Sequence, residues 1–217
     1  MKKWIKRILL SLLVLVLLCA GVFAGFYMTR FQTMGSIHKI TSNSDYNLYT
    51  MDVKYDYSLQ RVIDAQFTDT QTMIDAVVKE SLPLLPVHIQ VPSFGCSAFT
   101  MPAADGSVLM GRNYDFKNDT SALLVRCNPK DGYASVAFAA LDNVSANAPE
   151  SLAQKMACLT APFICLDGMN EKGVSIAVLT LDSQPTVQSS GKPTIATSMA
   201  IRLVLDKAAT TQEAVDL

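Results

Sequence analysis

The stretch Cys96–Phe116, CSAFTMPAADGSVLMGRNYDF, reads as two strands joined at Asp105-Gly106. Aspartate followed by glycine favours a two-residue hairpin turn, because both central positions need positive φ. Pairing Ala104 with Ser107 then sets Cys96 opposite Asp115, where directly opposed side chains have Cβ atoms about 4.5–5.5 Å apart. Strict alternation places Arg112 on the other face of the hairpin. In that register Arg112 reaches the cysteine only through a bulge, or if the strand ends near Gly111.

Downstream, strand patterns continue in ALLVRCN (122–128), YASVAFAAL (133–141), FICLDGM (163–169) and GVSIAVLTL (173–181). Asn170-Glu171-Lys172-Gly173 is a hairpin turn between the last two, and Asn170 is read as shaping that turn. Residues 194–207, TIATSMAIRLVLDK, repeat apolar positions at helical spacing. Thr210 and Glu213 form a capping box. The sequence stops at Leu217, barely two turns later, and a helix that short needs more chain or tight docking. The expectation is therefore a fragment, with sheet partners and further site residues lying beyond position 217.

Upstream, Lys2, Lys3, Lys6 and Arg7 precede a run from Ile8 to Met28 whose only polar residue is Ser11. That is about the length a membrane-spanning helix needs. Positive charge before it predicts a cytoplasmic N-terminus with everything after Arg30 extracytoplasmic. Val22-Phe23-Ala24 offers a cleavage pattern, so a removable signal peptide is the alternative to a retained anchor. Leu17 and Leu18 stand where a lipoprotein signal before Cys19 would carry small residues. The lysine-rich start with its short leader reads as bacterial, which leaves the glycosylation acceptor patterns at Asn118 and Asn143 without a role. Residues 31–66 are a polar and aromatic connection with a weak strand signal in YNLYTMDVKYDY. Thr70 opens a helix with Met73, Ala76 and Val77 on one face, and Pro83 and Pro86 end it. The division expected is 1–28 basic stub and anchor, 29–95 upstream or pro-segment, and 96–217 a partial catalytic domain.

Composition narrows the function. The 217 residues are 50% hydrophobic with a net charge of −1, which provides no electrostatic footprint for nucleic acid. There are five cysteines but no CxxC pair. Cys158 and Cys165 sit in apolar runs where a free thiol packs as a small hydrophobe. The two histidines, His38 and His88, are too few for a zinc site and lie apart from the strand-rich region. His88 reads as a packed or exposed side chain. No metal and no cofactor is expected.

Cys96 then stands out. A thiol attacks as thiolate, and a nearby cation lowers its pKa; Arg112 is such a cation. A base must take the proton, and one candidate is the cysteine's own α-amine, with a pKa of about 7.7–8.0. That amine is free only if the Gly95–Cys96 bond is cut, after which it activates the side chain of its own residue.

GCSAFTMPAADGSVLMGRNYDF followed by DGMNEKGVSIAVL resembles the choloylglycine hydrolase family, which includes bile salt hydrolases, penicillin V acylases and related acid ceramidase-like enzymes. The cysteine, the GRNxD element and the GMNEKG element carry the resemblance together. It implies an α+β, four-layer αββα N-terminal-nucleophile hydrolase fold, here its N-terminal half, preceded by an N-terminal transmembrane helix. It also implies that self-cleavage exposes Cys96 as nucleophile, that Arg112 sits against it, and that Asp115 hydrogen-bonds the new amine. Where bile salt hydrolases carry an oxyanion-holding asparagine this sequence has Thr180, the candidate donor here. The long upstream segment is more like the ceramidase-like branch. The implied activity is hydrolysis of linear C–N amides in a small acyl-amide substrate, or acyl transfer if an amine replaces water. The alternative is a non-catalytic, membrane-tethered binding protein or truncated relic on the same scaffold.

Overall fold

The computed structural model describes residues 3–40, 47–67, 69–85, 96–115, 120–180 and 195–217. His88, Gly95, Asn118 and Leu181 lie outside the described residues. The chain begins with helix α1, Lys3–Gly35, whose apolar side chains are exposed along most of its length. Its length and composition suit both a membrane span and a signal sequence. Near its end the character changes. Tyr27, Arg30, Thr33 and Met34 recur every three or four residues and are buried, so the last turns are built into the globular part. Thr33 Oγ1 accepts from the Lys54 amide at 2.8 Å, and the Ser36 hydroxyl accepts from the Asp52 amide at 2.9 Å.

Strands β1 (His38–Lys39) and β2 (Leu48–Asp52) follow, then α2 (Leu59–Ile63) and α3 (Thr70–Ser81). Helix α3 is the helix expected from Thr70 onward. Asp69 caps it by accepting from the Thr72 amide at 2.8 Å, while the Thr72 hydroxyl accepts from the Asp69 amide at 3.2 Å. Next come β3 (Cys96–Pro102) and β4 (Val108–Tyr114), then β5 (Ala122–Cys127) and β6 (Ser135–Ala140). Helix α4 (Leu152–Cys158), strands β7 (Asp167–Asn170) and β8 (Ser175–Ala177), and helices α5 (Thr197–Lys207) and α6 (Thr211–Asp216) complete the order. In α6 the Thr210 hydroxyl accepts from the Glu213 amide at 3.1 Å, but the Glu213 carboxylate reaches Ala209 rather than Thr210, so the expected box is half made.

Among the described residues, six strands form one sheet in the order β1-β2-β5-β6-β7-β8, antiparallel except for the parallel pair β2–β5. Strand β2 comes from the segment upstream of Cys96, so described residues on both sides of Cys96 share one sheet and one core. Alternation along β5 turns Leu123, Val125 and Cys127 to one face, beside Ala137 and Ala139 of β6, in the core that Met199, Ile201 and Leu205 of α5 also join. Cys158 and Cys165 are buried thiols in this core. The opposite face carries Leu124, Val136, Phe138 and Met169, and the β3–β4 hairpin lies over it. The chain is thus a mixed α/β fold with helices on one side of the main sheet and a two-stranded sheet on the other.

Two buried polar devices hold β7 and α5 in place. Asn170 accepts from the Lys172 and Val174 amides, each at 3.1 Å, and donates to the Leu205 and Ala208 carbonyls at 3.1 and 2.7 Å. It shapes the turn as expected and also fastens that turn to the end of α5. Gly168 permits the contact from the other side, because a Cβ there would lie 2.7 Å from both Leu205 Cδ1 and the Val136 carbonyl. The second device is Arg202, which donates to the Ser135 hydroxyl at 2.6 Å and pairs with Asp206 at 3.0 Å.

Candidate active site

The site is set by the register of one hairpin. Cys96 lies opposite Tyr114, and Pro102 opposite Val108. This corrects the expected pairing of Cys96 with Asp115. The loop is longer by one residue than Asp-Gly alone suggests. Ala103 N–H donates to the Ser107 carbonyl at 2.8 Å, which leaves Ala104, Asp105 and Gly106 as a three-residue loop. Only Gly106 takes a positive φ, at 84°, as in a turn ending in a glycine bulge. The Asp105 carboxylate accepts from both the amide and the hydroxyl of Ser107, at 3.0 and 2.7 Å.

Slipping the register by one residue exchanges the faces. Arg112, opposite Ala98, and Tyr114 now share the face of Cys96, so no bulge is needed. Asp115 falls on the other face, where it accepts from the Ser97 hydroxyl at 2.9 Å. The structure thus brings Cys96 and Arg112 together side chain to side chain, and places Asp115 beside Ser97. Thr180 is exposed and lies three residues beyond the end of β8 at Ala177.

Arg112 Nη2 donates to Cys96 Sγ at 2.7 Å. On its other side Arg112 Nε stands 3.1 Å from Asp167 Oδ2, an ion pair lacking hydrogen-bond alignment, with both side chains under 10% exposed (9% and 7%). Asp167 accepts from the Phe138 amide at 3.3 Å, which pins the carboxylate to β6. The Arg112 guanidinium also lies 5.4 Å from the ring centre of Tyr114. Asp167 was missed from the sequence. Its signal was a carboxylate in the otherwise apolar FICLDGM, where burial demands a partner.

Arg112 lines two cavities. One, of about 570 Å³, is bordered by Asn113, Tyr114, Asp115 and Phe138. The other, about 300 Å³, is an apolar cleft between Met110 of the hairpin and Leu124, Val136, Phe138 and Met169 of the main sheet. Cys96 and Thr180 are not among the described residues lining either, so Cys96 meets them through the guanidinium.

Burial pushes the Cys96 thiol above its ordinary value; Arg112 opposes this, while Asp115 and Asp167 add to it. Burial likewise raises the Asp167 carboxyl against the pull of Arg112. Tyr114 is pushed up to about 12 by burial and by the nearby Asp142 and Cys96 charges. The thiol therefore rests protonated near neutral pH, and Arg112 is the cation that counters its burial.

Arg112→Gln is therefore expected to raise the Cys96 pKa further and to slow its alkylation by iodoacetamide at mildly alkaline pH by roughly 3–10-fold. Asp167→Asn removes a neighbouring negative charge and is expected to speed it. Mass spectrometry of the Cys96 peptide reads both rates, and equal rates in the two variants would show that neither charge governs the thiol.

The family model for linear amide C–N hydrolases, choloylglycine hydrolase family, matches residues 96–217, more than half of the chain. No curated protein and no solved structure matches.

Proposed function

Because the chain belongs to the linear amide C–N hydrolases of the choloylglycine hydrolase family, we propose that it is a membrane-anchored, extracytoplasmic amidase whose nucleophile is the Cys96 thiol. The observation that carries this reading is the 2.7 Å bond from Arg112 to a cysteine that is also the first residue of the family match. Hydrolysis of the Gly95–Cys96 bond by water leaves a carboxylate on Gly95 and a free α-amine on Cys96. Asp115, just past the end of β4, is the carboxylate proposed to hold that amine.

The amine takes the thiol proton and the sulfur attacks the acyl carbon of the substrate. The C–N bond breaks, the amine product leaves with the proton, and a thioester remains. Water then adds to the thioester and releases the acid, regenerating the thiol. Arg112 stabilises the thiolate. The oxyanion of each addition needs preorganised N–H or O–H donors, and Thr180 is the candidate among the named residues. To serve, its hydroxyl or amide must stand about 2.7–3.1 Å from the oxygen on the carbon that Cys96 attacks. The apolar cleft of about 300 Å³ beside Arg112 suits an acyl chain. An amine in place of water at the second step would make the product a new amide.

Intact mass and N-terminal sequencing of the purified chain, beside Cys96→Ala, test the reading. A new N-terminus at Cys96 that vanishes in the variant is the expected result. An uncut chain in both would mean that the nucleophile is never unmasked, and would favour a non-catalytic, membrane-tethered binding protein.

A further inference from the structure

We propose that the globular part is seated on the bilayer by the face beside the outer end of α1, with the Pro83–Leu84 loop inserted at headgroup depth and an adjoining cationic cleft holding the phosphate of an anionic phospholipid. This rests on the reading of α1 as a retained span.

Tyr27 belongs both to the apolar run of α1 and to the core. Its hydroxyl donates to the Pro83 carbonyl, and its ring stacks on Phe23 at 4.5 Å. Side chains on a helix lean toward its N-terminus, so the bond draws Pro83 level with the apolar part of α1. Arg30, one turn further on, donates to the Ser81 and Glu80 carbonyls at 2.7 and 3.1 Å, tying the end of α3 to the same place. The loop after α3 is thereby held at the membrane edge by two side chains of the anchor.

Leu84 is the next residue. At 86% it is the most exposed large apolar side chain among the described residues, and its φ of 72° is a left-handed conformation that leucine rarely adopts. In water this geometry displays an apolar group to no purpose. Against a bilayer it is an anchor.

The cleft lies at the same end. Its volume is about 550 Å³, and Phe26 and Thr29 of α1 and Pro83 of the loop contribute to its wall. Lys54, Lys79, Lys130 and Arg61 also line it. Glu80 pairs with Arg61 at 2.6 Å, Asp56 with Lys130 at 3.6 Å, and Asp52 with Lys54 at 3.5 Å, the last two at exposed, loosely held distances. Arg30 adds a further cation to the wall, although its donors are engaged by carbonyls. Cations thus exceed the carboxylates facing them, at the level where α1 leaves its apolar run. Lysines placed there are attracted to the anionic surface of a leaflet.

The chain contains one tryptophan, Trp4, at the inner end of α1. The full chain is reconstituted in vesicles of phosphatidylcholine brominated high on the acyl chains, with and without phosphatidylglycerol. Trp4 of the unaltered chain reports α1, and Trp4→Phe/Leu84→Trp reports the loop. Leu84 is exposed, so that replacement removes no packing. Both tryptophans are expected to lose most of their fluorescence, and Lys79→Glu/Lys130→Glu in the second background is expected to restore much of the loop signal where phosphatidylglycerol is present. Quenching of Trp4 but not of the loop tryptophan would overturn the seating and leave the span standing. Quenching of neither would overturn the span and the seating together. Loop quenching indifferent to phosphatidylglycerol and to the lysine changes would overturn the headgroup site.

Discussion

Cys96→Ala is expected to lower the hydrolysis of a linear acyl amide by at least ~10³-fold while leaving the fold in place. Alanine forms no thioester, so only binding and oxyanion stabilisation remain, and losses of this order are usual when a nucleophile is removed. The structural cost is small because the thiol is half-buried at the start of β3 and Arg112 keeps its second partner, Asp167. A change in unfolding free energy within ~1 kcal/mol is expected for such a truncation. Measuring kcat/KM beside a denaturation curve separates the two effects. Retention of more than about a tenth of the rate, well above the loss expected on removing a nucleophile, would place the nucleophile elsewhere.

Arg202→Met is expected to destabilise the fold by about 3–5 kcal/mol, the usual consequence of removing one partner of a buried ion pair. Arg202 is 0% exposed. Beyond Asp206 and Ser135 it donates to Cys127 Sγ at 3.4 Å, and the Tyr57 hydroxyl donates to Asp206 at 3.1 Å. Without the guanidinium, the buried Asp206 carboxylate keeps Tyr57 as its one hydrogen-bonding side chain among the described residues, with Lys207 as the nearby cation. Adding Asp206→Leu should recover much of the loss, since apolar replacement of a buried pair is often neutral.

The pH dependence follows from the direction of the Asp206 shift. Burial already raises that carboxyl above its ordinary value while Arg202 opposes it, so Arg202→Met must raise it further. A raised carboxyl favours the fold below the unfolded-state pKa, about 3.9, and that advantage is lost as pH rises through the folded-state value. The deficit of the variant should therefore be smallest in acid and largest at neutral pH. Urea titrations of the full chain at both read it, and a pH-independent deficit would show that Asp206 is not the group left behind.

What was legible in the sequence was what local periodicity encodes. The β3–β4 hairpin, the strands at Ala122, Ser135 and Ser175, and the helices at Thr70 and Thr197 fall where alternation and helical spacing put them, whereas FICLDGM is strand only from Asp167, with Phe163 closing a 3-10 turn over Ala161–Phe163. The apolar run that became most of α1 was equally plain. Asn170 was recognised as a turn residue, because an asparagine before a lysine and a glycine has little other local use. Its bonds to the Leu205 and Ala208 carbonyls were not legible, since they join groups more than thirty residues apart (35 and 38). Arg202 and Asp206 showed only an i,i+4 spacing within an apolar helix, and which face they occupied depended on the sheet beneath.

By itself the sequence determined the hairpin, the residue types on it, and the family to which residues 96–217 belong. Only the tertiary structure decided which of those residues meet. Two features set the meeting. The Asp105 bonds to Ser107 accompany a three-residue loop, and the resulting shift of one residue moved Arg112 onto the face of Cys96 and Asp115 off it. The guanidinium is then held between the thiol and Asp167, a carboxylate 55 residues from Arg112 along the chain, which the main sheet presents to the hairpin. The type of turn is encoded locally, but a strand has period two, so a single residue in the loop reverses every side chain after it.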